Sequence, residues 1–101
     1  MQEWKISQEQ IEKLMDESTY QTWHPENTST TVVAMTLPNG FTLVESSSCI
    51  NPKMYNEELG IQNCRHRLMD RLYALEGYRK KYLFNDYINE SKKQKNKEAN
   101  K

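Results

Sequence analysis

The sequence predicts an α+β fold in which one antiparallel β-hairpin packs against a long helix. Three observations support this fold class. Two β-rich runs flank a Pro-Asn-Gly turn between Thr30 and Cys49, a helix-capping pattern precedes them, and a long stretch with helical apolar spacing follows them. The chain has 101 residues, which suffices for one small domain. We therefore predict a single domain over residues 1–88 and a disordered, lysine-rich tail over residues 89–101.

A helix is predicted near the N-terminus, from Gln8 to about Glu17. Ser7 and Gln10 have the spacing of a capping box, in which each side chain bonds the backbone of the other residue. Ile6 lies just before the cap and is placed to pack against the first turn of the helix. The segment 18–29 that follows is predicted to be a polar link, with Trp23 packing over the hairpin.

The turn between the two β-rich runs can close in two ways. A two-residue loop would use Asn39 and Gly40, whereas a three-residue loop would place Pro38 and Asn39 in a type I turn with Gly40 in a left-handed bulge. Only the second loop, which pairs Leu37 with Phe41, keeps the apolar residues together, because a slip of one residue turns every side chain over. The three-residue loop predicts a core-facing row made of Val33, Met35, Leu37, Phe41 and Leu43.

Glu45 is the polar member of that row, opposite Val33. A carboxylate on a core-facing row needs a partner or a place at the edge of the core. Glu45 either lies at the strand end, solvated or paired with an arginine, or it contacts a ligand or a second subunit.

The C-terminal half is predicted to hold two helical segments. The long helix starts either at the Asn51-Pro52 pair or after Asn56, since both asparagines suit a helix cap. It runs to about Leu75, and Gly77 is a natural stop or kink. A second helical segment is expected from Tyr78.

Charge and composition favour some partners over others. The tail from residue 89 to residue 101 has five lysines and two glutamates, so residues 1–88 have a net charge of −3. Such a body is not typical of a dedicated nucleic-acid binder.

No apolar run approaches the roughly 20 residues that a bilayer requires, and the first ten residues do not resemble a signal peptide. We therefore expect a cytoplasmic protein, without membrane association and with two free cysteines.

Few residues indicate chemistry. Two histidines and two cysteines could be proposed as metal ligands, but Cys64 and His66 lie two apart on a helix and point in different directions. No nucleophile elbow and no glycine-rich phosphate loop is present. We predict no catalytic residues, no cofactor, no metal and no enzymatic activity.

Four residues are candidates for binding a ligand or partner. Arg67 and Arg71 are four apart on one helical face, a spacing at which two guanidinium groups can clamp an anion, although they can equally be solvated or salt-bridged. Tyr78 adds an aromatic group, and Glu45 is the carboxylate described above. Six tyrosines and two tryptophans indicate an interface, where both residues are enriched.

Several sequence elements resemble a family of small tailed-phage proteins, the gene-product forty-nine/sixty-six family. The resemblance covers His24 to about Leu83 and leaves the N-terminal helix outside. It rests on the order and spacing of LPNGFT (37–42), the Asn51-Pro52 pair, YNEELG (55–60) and LEGY (75–78). It implies a phage or prophage origin and brings no catalytic residues with it.

Two classes of function follow from these observations. The first is a non-catalytic phage accessory protein that counteracts a host defence system by binding and inhibiting a host protein, or else by sequestering a small anionic ligand of nucleotide type. The second is a nucleic-acid-associated protein that uses its basic tail and the cluster Arg79-Lys80-Lys81. Because an isolated hairpin is marginal, a homo-oligomer is also expected, most simply a two-fold dimer.

Overall fold

The computed structural model describes the backbone of residues 5–99 and the side chains of residues 5–92. It confirms the α+β class. The chain forms a short helix, a three-stranded antiparallel sheet in the order β1-β2-β3 and one long helix. The elements are α1 (Gln8–Glu17), β1 (Thr19–Trp23), β2 (Thr30–Thr36), β3 (Thr42–Ser48) and α2 (Glu57–Ala99), with a 3-10 turn (Pro52–Met54) before α2.

Helix α1 has the predicted bounds and the predicted cap. The Ser7 hydroxyl accepts a hydrogen bond from the Gln10 backbone N–H at 3.1 Å, while Ile11 and Met15 are buried. The Gln10 side chain has a different partner from the one predicted, because its Oε1 accepts from Lys80 Nζ at 3.5 Å. Helix α1 is therefore fixed to α2 at its first turn as well as through its apolar stripe.

The hairpin confirms the three-residue loop. The Leu37 N–H donates to the Phe41 carbonyl, and the Gly40 N–H donates to the Leu37 carbonyl, both at 2.8 Å. Gly40 has a φ of 92°, a left-handed conformation that favours glycine. Thr36 consequently pairs with Thr42, and Val33 pairs with Glu45 as predicted.

The prediction of a polar link over residues 18–29 is wrong, because Thr19–Trp23 forms an edge strand that pairs with β2. Its residues are β-branched, aromatic or uncharged polar, which suits a strand. Four of the five residues are exposed, so the strand lacks the apolar alternation that identifies half-buried strands in a sequence. Trp23 does not cover the hairpin; its side chain is 65% exposed.

Helix α2 begins at the second of the two predicted caps. Asn56 Oδ1 accepts from the Leu59 N–H at 3.2 Å, whereas the Asn51-Pro52 pair starts only the 3-10 turn. The predicted stop at Gly77 is wrong, because α2 continues through it as one helix of 43 residues. A glycine costs a helix only about 1 kcal/mol relative to alanine. A Cβ added to Gly77 would meet Ile6 Cδ1 at 3.5 Å, an ordinary contact distance, so packing does not require a glycine here.

The basic tail continues this helix in the described part of the chain. The backbone of residues 89–99 is helical, where the sequence predicts disorder, and residues 100 and 101 lie outside the described residues. Lysine, glutamate, glutamine and alanine all have good helix propensity, so the absence of apolar periodicity does not oppose a helix here. The domain boundary after residue 88 stays a prediction.

The core lies between α2 and one face of the sheet, with α1 closing one end. Cys64, Leu68 and Leu72 follow one another at i+4 spacing along α2 and are buried against the predicted row of β2 and β3. Phe41 is the exception in that row, since its side chain is 52% exposed at the end of the turn. The other buried apolar residues are Ile11, Met15, Val33, Met35, Leu37 and Leu43.

Gly60 is the point of closest approach between α2 and the sheet. A Cβ added to Gly60 would lie 2.3 Å from Thr31 Oγ1 and 2.8 Å from Thr31 Cβ. Thr31 is fully buried and its hydroxyl is hydrogen-bonded to the Tyr55 hydroxyl at 2.8 Å. Burial and this hydrogen bond hold the Thr31 side chain in place. The absence of a side chain at Gly60 therefore sets how near the start of α2 lies to β2.

Substituting the two helical glycines should have opposite effects on stability. Gly60→Ala should lower the free energy of unfolding by about 1–3 kcal/mol, because overpacking at Thr31 outweighs the gain in helix propensity. Gly77→Ala is the matched control in the same helix and should raise it by up to about 1 kcal/mol, since its Cβ meets Ile6 at an ordinary contact distance. Urea unfolding of both variants measures the difference, and equal effects would contradict the close approach.

Candidate functional site

The free edge of β3 is closed by two arginines from α2. The bonds between Leu37 and Phe41 set the alternation of the ladder, so Val44 and Ser46 turn their main-chain polar groups away from β2. Arg71 Nη1 donates to the Val44 carbonyl at 3.0 Å, and Arg67 Nη1 donates to the Ser46 carbonyl. The two arginines thus occupy consecutive outward carbonyls of the edge strand.

Glu45 joins this cluster, so the structure brings together three of the four predicted site residues. Its Oε1 lies 3.3 Å from Arg71 Nη1, which is the pairing with an arginine that one of the two interpretations expects. The Glu45 side chain is 23% exposed and that of Arg71 is 46% exposed, so the ion pair is worth about 0.2–1 kcal/mol. A ligand-binding role for the three residues stays a prediction.

Tyr78 lies apart from that cluster, two helical turns beyond Arg71. Its side chain is 74% exposed, and it lines a shallow pocket with Arg79, Tyr82 and Leu83. Arg79 is held in place by Glu76, since two of its nitrogens donate to the two Glu76 oxygens at 3.0 Å each. These hydrogen bonds lower the pKa of Glu76 and raise the pKa of Arg79, so both groups keep their charge.

A larger groove adjoins this pocket at the tip of the hairpin and shares Arg79 with it. Its volume is about 420 Å³, and it lies between the hairpin turn, α1 and α2. We call the groove and the adjoining pocket the tip groove. Its large side chains with substantial exposure are Phe41 (52%), Leu75 (42%), Tyr78 (74%), Tyr82 (59%) and Leu83 (45%).

A second concavity, the α2 cleft, lies where the end of β3 meets the start of α2. Its volume is about 470 Å³, and exposed Ile50, Met54 and Leu59 contribute its apolar surface. Sequence reasoning missed it, because its residues come from loops and three separate elements. The uncharged polar residues of its lining are Ser29, Ser47, Ser48, Asn51, Tyr55, Asn56 and Asn63.

His24 and the two cysteines make local contacts. His24 stacks on Tyr55 with ring centroids 4.6 Å apart, and its Nδ1 donates to the Thr30 carbonyl at 2.7 Å. Cys49 donates to the Asn51 carbonyl at 3.1 Å, while Cys64 is buried. Within residues 5–92, no group of three or more His, Cys, Asp or Glu side chains is arranged to hold a metal ion.

The fold and its surfaces define a small α+β protein with a meander sheet on one long helix. A comparison with protein families matches residues 6–83 to the phage protein (N4 Gp49/phage Sf6 gene 66) family, and the chain belongs to that family. The match begins at residue 6 and so includes α1, which the resemblance in the sequence left outside. Comparisons with curated proteins and with solved structures give no match.

Among the helices that the structure describes, none combines the length and the apolar character needed to cross a bilayer.

Removing both edge arginines should open the β3 edge to further self-association. In the Arg67→Ala, Arg71→Ala double variant, the Val44 and Ser46 carbonyls lose their donors, and an open edge is a template for another strand. Light scattering should show an average mass that rises with protein concentration beyond the mass that the unsubstituted protein reaches. The control is the Lys81→Ala, Lys92→Ala double variant, which also removes two positive charges from α2. Equal behaviour of the two variants would contradict the capping role.

The two thiols should differ in reactivity. Burial raises the pKa of Cys64, so at pH 8 this thiol is both shielded and protonated, whereas Cys49 is half-buried. Because the raised pKa favours the folded state below the ordinary thiol pKa near 9, this contribution fades as the pH rises further. Iodoacetamide should label Cys49 first in the native protein and Cys64 only with unfolding, as read by peptide mass spectrometry. Equal native rates would contradict this burial.

Proposed function

We propose that this phage protein is a non-catalytic accessory protein that binds and inhibits a host protein, with the tip groove as its binding surface. One observation carries the proposal. Five large apolar or aromatic side chains, each between 42% and 74% exposed, surround one fixed arginine in a concave surface. Contiguous exposed apolar surface of this kind is typical of protein interaction sites.

The residue types of the groove suit a protein partner. Tyrosine and arginine are, with tryptophan, the side chains most enriched among residues that dominate binding energy, and phenylalanine is also enriched at interfaces. Tyr78 and Tyr82 are rigid rings that lose little conformational entropy on binding. Arg79 is already oriented by Glu76, so a partner would meet a group whose position is fixed.

The two other candidate functions have less support from the contacts. The guanidinium groups of Arg67 and Arg71 are engaged with β3, so an anionic ligand would compete with the sheet edge for them. Each member of the cluster Arg79-Lys80-Lys81 has a partner within the chain: Arg79 pairs with Glu76, Lys80 donates to the Lys5 carbonyl, and Lys81 lies 5.6 Å from the centre of the Phe84 ring.

Binding to a host protein should depend on the two groove tyrosines. With tagged protein as bait in host lysate, the Tyr78→Ala, Tyr82→Ala double variant should lose at least tenfold in recovery of the partner, because two central contacts of about 1 kcal/mol or more each are removed. The matched control is Ile50→Ala with Met54→Ala, which removes exposed apolar surface from the α2 cleft.

The control variant should keep full recovery of the partner. Circular dichroism on both variants would verify that the fold is retained. If the control lost the partner while the tyrosine variant retained it, the binding surface would be the α2 cleft and the tip groove would be excluded.

A further inference from the structure

The two edge strands of the sheet differ in how their outward main-chain groups are hydrogen-bonded. On β3, the outward carbonyls of Val44 and Ser46 accept hydrogen bonds from α2. On β1, the outward main-chain groups are those of Tyr20 and Thr22. No main-chain or side-chain donor or acceptor from residues 5–92 bonds them. Proteins commonly block exposed edges, because an open edge recruits further strands. Because one edge of this small sheet is blocked and the other is open, we infer that the open edge pairs with another strand.

The outward groups of β1 follow from the ladder. In β2, residues 31, 33 and 35 exchange bonds with β3, so residues 32, 34 and 36 face β1. Their partners Thr19, Gln21 and Trp23 are therefore satisfied, while Tyr20 and Thr22 direct their N–H and C=O groups away from the sheet. Two residues with two groups each offer four hydrogen bonds to an added strand.

The open edge is held in a fixed conformation. The Tyr20 hydroxyl donates to the Met15 carbonyl at the end of α1 at 2.7 Å. The Arg65 guanidinium lies 4.7 Å from the centre of the Tyr20 ring. Because Tyr20 is anchored on both sides, the outward main-chain groups next to it are ordered before any partner arrives.

The edge also lacks the features that repel a second strand. The segment Thr19–Trp23 contains no charged residue and no proline, and four of its five residues are exposed. Threonine, tyrosine and tryptophan are good strand formers. An edge of this composition favours pairing with another strand.

We propose that β1 pairs with β1 of a second copy in an antiparallel, two-fold arrangement centred on Gln21. In this register Tyr20 of one copy lies opposite Thr22 of the other, and the two pairs exchange all four outward hydrogen bonds. Gln21 lies opposite Gln21 on the axis, and Thr19 lies opposite Trp23. The five-residue strands overlap fully only in this register, and the two sheets join into one of six strands.

The capped β3 edge explains why the occupant is a second copy and why the assembly stops at two. After β1 joins β1, both outer edges of the six-stranded sheet are β3 strands, whose Val44 and Ser46 carbonyls are already occupied. A heterologous contact between β1 and β3 would instead continue into a filament. The arginines exclude that pairing, so the same chain closes as a dimer.

The register is tested by disulfide trapping in a Cys49→Ser background. Directly opposed residues in a non-hydrogen-bonded antiparallel pair have Cβ atoms about 4.5–5.5 Å apart, close to disulfide distance. The Gln21→Cys variant should therefore form a covalent dimer under mild oxidation. Thr19→Cys is the matched control on the same face of the strand. Its two copies would lie four residues apart, about 13 Å, and should not cross-link.

A second variant tests the hydrogen bonds without a cross-link. Thr22→Pro removes one outward N–H per copy while the bonded positions 19, 21 and 23 keep theirs, so the dimer dissociation constant should rise at least tenfold by light scattering. The proposal is overturned if the wild-type protein is monomeric at micromolar concentration, in which case the edge serves a strand of another protein. It is equally overturned if Thr19→Cys cross-links as well as Gln21→Cys, or if Thr22→Pro leaves the dimer unchanged.

Discussion

The contact between α2 and the inner face of the sheet is the constraint on which the other features depend. Cys64, Leu68 and Leu72 form a strip along the helix, and the sheet covers it with β-branched and long aliphatic side chains. Gly60 sets the depth of that contact at one end. Since the helix lies at a fixed height above the sheet, its arginines reach over the β3 edge, and its next turns, with α1, form the walls of the tip groove.

The parts of the fold that could be predicted from the sequence are those with a local physical cause. The register of the hairpin follows from proline and glycine at fixed turn positions together with the apolar alternation, and α1 follows from its cap. Strand β1 could not be predicted in this way, because an exposed edge strand has no buried face to leave a pattern. The break expected at Gly77 failed for another reason, since a single glycine has only a modest helix penalty and α2 continues on both sides of it.

The candidate site shows the same division. Arginines four residues apart predict a shared helical face, and an in-row glutamate predicts an arginine partner; both hold because strand and helix periodicity are local rules. Sequence reasoning placed Tyr78 with them, but helix geometry carries it two turns away. The tip groove and the α2 cleft combine segments that are distant in the chain, so only the folded arrangement reveals them. The two arginines, for which anion binding and salt bridging were both left open, donate hydrogen bonds to the β3 edge.

The composite origin of the tip groove has a thermodynamic consequence. Its walls come from α1, the hairpin turn and α2, so the groove is absent from the unfolded chain. Anything that occupies it binds the native state alone and stabilises that state by mass action, by about 2.7 kcal/mol at a hundredfold excess over the dissociation constant. The melting temperature of the protein is therefore itself a reporter of occupancy, and a rise in that temperature can identify an occupant before its identity or its effect on the host is known.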